Sequence, residues 1–171
     1  MKKPDNCIAC EDGKYNNFTG VIMWGETEGL VENATFVLTE RLDLKLITFY
    51  FGTWVNGTWQ YGVWKDGVWE DGVWYDGTWN GGVWESGTWN TGNWVRGLWE
   101  DGVWKDGIWE DGIWEKGTWK TGNWVIGLWE EGIWKDGIWE DGEWKGGTWK
   151  NGTWEKGVWH GGVWENGIRL D

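Results

Sequence analysis

Gly67-Val68-Trp69-Glu70-Asp71 and Gly137-Ile138-Trp139-Glu140-Asp141 are two copies of the five-residue unit whose reading decides the fold of this chain. Glycine falls at every fifth position from Gly52 to Gly167, and tryptophan does the same two residues later, from Trp54 to Trp164. Of the 24 tryptophans only Trp24 lies outside this array. A fixed short period points to a repeat architecture. Written as Gly-a-Trp-b-c, the unit carries mostly Val, Ile or Thr at a, Glu or Lys at b, and Asp, Asn, Gly or another polar residue at c. A helix would lose about 1 kcal/mol at each glycine. A short strand centred on Trp, closed by a c-Gly turn, suits the β-branched residues and the Asp-Gly and Asn-Gly pairs. In such a strand Trp faces one side, and a and b face the other.

Two arrangements use these pieces: a solenoid, with each pentad forming one side of a coil, and an antiparallel β-meander, with each Asp-Gly a hairpin turn. A meander would leave a whole tryptophan face in water. The b charges bear on the coil size. Four pentads apart, charged b residues are nearly all opposite, as in Lys65-Glu85-Lys105 and Glu115-Lys135-Glu155. Three apart, they clash, as in Glu70-Glu85-Glu100-Glu115 and Lys105-Lys120-Lys135-Lys150. At about 0.2–1 kcal/mol per stacked pair, the charges favour a four-sided all-β solenoid of about 20 residues per coil. Its expected core includes Trp54, Trp59, Trp64, Trp69, Trp74, Trp79, Trp84, Trp104, Trp124, Trp144 and Trp164, with glycine leaving room for the indole. Buried indole N–H groups need acceptors, and only backbone carbonyls are on offer. Residues Gly92 to Thr121 recur as Gly122 to Asn151, thirty residues on, which is one and a half such coils.

On these residues the array resembles the pentapeptide-repeat proteins, in which a large apolar residue sits at the centre of each pentad and a small one two positions earlier. Trp takes the central place here, and Gly the small one. The resemblance implies a right-handed, four-sided β-helix. Gly-x-Trp arrays of this kind also look like those of uncharacterised phage-encoded proteins.

Residues 1–51 form a head before the array at 52–171. Leu42, Leu44 and Leu46 alternate with Asp43 and Lys45, and Phe49 and Leu44 fall in the tryptophan phase, so Thr35 to Phe51 is expected to be a strand-rich cap. Asn16-Asn17 and Gly25 to Gly29 read as turn and loop. Cys7 and Cys10 form a lone C-x-x-C, half of a zinc ligand set, and are weak metal candidates. The start shows no signal-peptide pattern, and no stretch reaches the roughly 18 apolar residues of a membrane helix. No secretion and no membrane partner are therefore expected, and the resemblance to phage-encoded arrays implies synthesis in a host cytoplasm with a virion as a destination.

A net charge of −13 argues against direct binding to a nucleic-acid backbone. The array carboxylates hold turn or ladder positions with no cleft between them, His160 would continue the Glu140 column, and no nucleophile or phosphate-loop motif occurs. No enzyme activity and no cofactor are expected. The leading expectation is a structural or adhesive rod in a larger assembly, with residues 1–51 giving protein docking or self-assembly into an oligomer. An acidic DNA mimic that occupies an enzyme such as gyrase is the second. A module stacking exposed tryptophans on sugars or bases is the third.

Overall fold

The computed structural model describes residues 8–42 and 44–170. The described chain is all β, and the array is a parallel β-solenoid. Each a-Trp pair is a two-residue strand, from β6 (Val68–Trp69) to β25 (Val163–Trp164), and β26 (Ile168–Arg169) closes the series. Each pairs in parallel with the strand fifteen residues on, as in the run Val73, Thr88, Val103, Thr118, Ile133, Thr148, Val163. Two ladder bonds per pentad hold the step. Val103 N–H donates to the Gly87 carbonyl at 2.9 Å, and Lys105 N–H to that of Trp89 at 2.8 Å.

A step of fifteen residues is three pentads, so the coil is three-sided and not four-sided. Parallel pairing also excludes the meander as the arrangement of the array. The interior explains the difference. Trp54 to Trp154 are fully buried at every fifth residue. Within a coil neighbouring indoles meet edge to face, as Trp104 and Trp109 do at 6.0 Å and 74°. Between coils they stack, as Trp104 and Trp119 do at 4.7 Å and 6°. Three rings turned edge to face close each layer. A fourth side would widen the interior and break that contact, and interiors do not tolerate voids. Aromatic pairs contribute about 0.5–1.5 kcal/mol each beyond burial, more than exposed like charges oppose.

The glycines follow from the same coil. Gly107 has φ +123°, and a Cβ there would lie 2.4 Å from the Gly92 carbonyl oxygen one coil below. Stacked backbone at the corner excludes a side chain there first. The indoles come second, as at Gly97, where Trp94 lies 3.1 Å from the Cβ position. The aspartates at c complete the corner: Asp66, Asp76, Asp101, Asp106 and Asp111 each accept the N–H of the next glycine, at 2.6–2.8 Å. The duplicated thirty residues span two whole coils, not one and a half. Asn93 donates to Glu110 and Asn123 to Glu140 in the same way.

The head continues the core. Behind the short β1 (Ile8–Ala9), the long strands β2 (Gly13–Trp24), β3 (Thr27–Arg41) and β4 (Leu44–Trp59) pair antiparallel in chain order. β4 then pairs in parallel with β5 (Gly62–Trp64), β6 and β7 (Val73–Trp74), which joins the two kinds of sheet. Tyr15, Phe36, Phe49 and Trp64 form one aromatic column, with Phe49 and Trp64 stacked at 4.1 Å. Asn16 and Asn17 lie within β2 and not in a terminal turn. Asn17 and Asn33 both have φ 49° beside shifts in the strand register. Asn tolerates this left-handed conformation better than other side chains do. Gly25 and Glu26 form a turn, but Thr27 to Gly29 belong to β3. Leu42 sits between β3 and β4, 97% exposed, and Leu44 is 62% exposed, so the tryptophan phase begins at Phe49.

Candidate functional site

The array turns its indoles inward, so everything it can present to a partner stands at a, b and c. Strand pairing sorts the b residues into three columns along the rod. The first runs Glu70, Glu85, Glu100, Glu115, Glu130, Lys145, His160. The second runs Tyr75, Asn90, Lys105, Lys120, Lys135, Lys150, Glu165. The third is mixed: Lys65, Asn80, Val95, Glu110, Val125, Glu140, Glu155. The register therefore gathers five glutamates on one face and four lysines on another.

This corrects the expected ladder. Lys65 stands below Asn80 and on a different face from Glu85, which lies between Glu70 and Glu100. Lys105 lies between Asn90 and Lys120, Glu115 between Glu100 and Glu130, and Lys135 between Lys120 and Lys150. Glu155 follows Glu140. His160 tops the Glu130-Lys145 column, not that of Glu140, and its Nε2 lies 2.6 Å from a Glu143 oxygen. Lys120, Lys150 and Glu130, expected to alternate in sign with residues four pentads away, also fall in like-charge rows.

The faces differ in their a residues too. Beside the glutamates run Val68, Val83, Leu98, Ile113 and Leu128, an apolar stripe. Beside the lysines runs the uncharged, β-branched stripe from Val73 to Val163 already described. Among the described residues, no cation lies in salt-bridge range of Glu70 to Glu130. On the lysine side, Lys105 donates to the Asn90 side chain and Lys150 lies 3.9 Å from Glu165. Electrostatics register the crowding. Burial first, then Glu100 and Glu70, push the Glu85 carboxyl above its usual range. Opposite shifts occur where partners exist. The Gly142 N–H and then Lys156 lower Asp141, and Lys145 and then His160 lower Glu143.

A raised carboxyl pKa opposes stability at neutral pH and is relieved as pH falls through the shifted value. Glu85→Gln is therefore expected to stabilise the fold at pH 7 by a few tenths of a kcal/mol, the size suited to an exposed group. The gain should shrink as the buffer is taken below the usual glutamate pKa. Urea melts at both pH values check this, and a constant gain would show that the charged column is not its source.

Indole N–H groups find acceptors only in part. Trp129, Trp139 and Trp144 donate to the carbonyls of Gly146, Lys156 and Gly161, the c positions one coil on, at 3.0–3.2 Å. From Trp54 to Trp124 they have no hydrogen-bond partner. No exposed tryptophan ladder runs along the array, so rings for stacking on sugars or bases are not presented there. Among the described residues, Trp159 and Trp164, at the far end, are the tryptophans that are partly open. Cys10 is a free, exposed thiol, and Cys7 lies outside the described residues. Among the described residues, no cluster of three or more His, Cys, Asp or Glu is placed to hold a metal ion.

These observations define a class, a tryptophan-cored β-solenoid consistent with the pentapeptide-repeat resemblance. Comparisons with protein-family models, with curated proteins and with solved structures gave no match.

Proposed function

We propose that the chain is a non-enzymatic structural or adhesive rod in a larger assembly, a phage virion being the setting the repeat resemblance suggests, with residues 1–51 as its docking end. The observation that carries this reading is the uninterrupted aromatic core. Seven coil steps of about 4.8 Å separate Trp54 from Trp159, giving a stiff spacer of about 34 Å. Neighbouring layers are held by both ring stacks and backbone ladders, so the rod resists bending. Outward charge keeps it soluble.

The test is quantitative mass spectrometry of purified particles from the natural source. Stoichiometric presence, with crosslinks from residues 8–51 to another component, is expected. Recovery only as free chain would overturn the reading.

The DNA-mimic reading gains one specific support: the Glu70–Glu130 column displays unneutralised charge in a line. The lysine column on another face works against it, because a mimic displays one sign. A gyrase supercoiling assay separates the two, since a structural rod leaves supercoiling unchanged at stoichiometric amounts.

A further inference from the structure

The two charged columns lie on one molecule, have the same rise per coil, and are nearly equal in length. We propose that the rods associate side by side, the glutamate face of one copy lying on the lysine face of the next. Both faces read a then b in the same sense around the coil. When two such faces meet flat, b falls on b only if the rods run in opposite directions. Sliding one rod along the other then leaves a small choice of registers. One of them places Lys105 opposite Glu115, Lys120 opposite Glu100, Lys135 opposite Glu85 and Lys150 opposite Glu70. The same register sets Glu165 against Val55, so no like charges meet along the two columns. The stripes beside them also match: Val103 meets Ile113, Thr118 meets Leu98, and Ile133 meets Val83.

This pairing supplies what a single rod lacks. Like charges one coil apart oppose the fold, and unlike charges across an interface relieve that opposition while fixing register. From Val68 to Leu128 on one face, and from Val73 to Val163 on the other, the flanking stripes are uncharged and add no buried ion of their own there. The contact is heterologous, because each copy uses one face to give and another to receive, so it does not close after two copies. Association should therefore grow with concentration.

The inference extends the structural-rod reading but stands apart from it, since a rod that stays single can still be a spacer. Sedimentation velocity on the full chain tests it. The wild type is expected to rise above its 19.9 kDa monomer mass with concentration. Lys120→Glu with Lys135→Glu, and separately Glu85→Lys with Glu100→Lys, reverse one side of the two central pairs of this register, so that like charges meet there in each variant. Each double variant should associate about tenfold more weakly or worse. Mixed one to one, the two should associate again, because the reversed lysine face of the first meets the reversed glutamate face of the second and the two unaltered faces pair as in the wild type. Far-UV circular dichroism and indole emission matching the wild type show that both variants fold. A wild type that stays monomeric, variants that associate as it does, or a mixture that does not associate would each overturn the pairing. Wild-type-like mass in both variants would assign association to the head.

Discussion

Gly107→Ala is expected to destabilise the array by about 4 kcal/mol, among the largest effects of any single substitution. The added Cβ would lie 2.4 Å from the Gly92 carbonyl oxygen and 3.0 Å from its nitrogen, and neither is free to move. That carbonyl accepts the Ile108 N–H, and the Gly107 carbonyl accepts the Asn123 N–H, so relief of the overlap strains two coil steps. The φ of +123° adds a penalty of roughly 1–3 kcal/mol for any side chain. Because each coil contacts only its neighbours, the damage should be local and can divide the melt into two transitions. Gly146→Ala is the control. Its nearest atom is the Glu130 carbonyl oxygen at 3.6 Å, and its backbone is one that alanine adopts. A gain of about 0.4–1 kcal/mol is expected there from a stiffer unfolded chain. Urea melts followed by circular dichroism compare the two, and equal effects would remove the corner argument.

Trp104→Ala is expected to cost about 3–5 kcal/mol. The ring stacks on Trp89 at 4.9 Å and Trp119 at 4.7 Å, and meets Trp99 and Trp109 edge to face, both at 6.0 Å. Its N–H has no partner, so packing alone is lost. Four neighbours facing one void cannot all collapse into it without leaving their own stacks. Trp164→Ala should cost about half as much, because that ring is partly open and has stacking partners only on the side of Trp149 and its neighbours. Similar losses at both positions would show that stability does not come from rings held on two sides.

Much of this fold is legible in the pentad. Trp faces inward because it alternates with outward a and b. Glycine marks the corner, aspartate caps it, and Phe49 extends the core into the head. Coil size was not legible, for a definite reason. The charges on b are exposed and worth little each, yet they are the only part of the unit that varies enough to compare registers. The indoles, which decide the register, are identical in every pentad. No sequence comparison among them can distinguish three per layer from four; that depends on how three rings close around an axis. The like-charge rows follow from this. Glu85 and Lys120 are placed by an interior choice, and the surface accepts the result. The head shows the same division: Phe49 keeps the core phase and stacks with Phe36, whereas Leu44 matches that phase in spacing but is exposed beside the hairpin.

A coil of three identical sides gives the inside and the outside different reading frames. To the core, any insertion of five residues is silent: tryptophan still points in and glycine still turns the corner. To the surface, the same insertion rotates everything beyond it by a third of a turn and moves the glutamates under the lysines. Only multiples of fifteen are silent to both. The recurrence of Gly92 to Thr121 as Gly122 to Asn151 is two whole coils long, so Glu100 and Glu130, Lys105 and Lys135, and Lys120 and Lys150 each fall in one column.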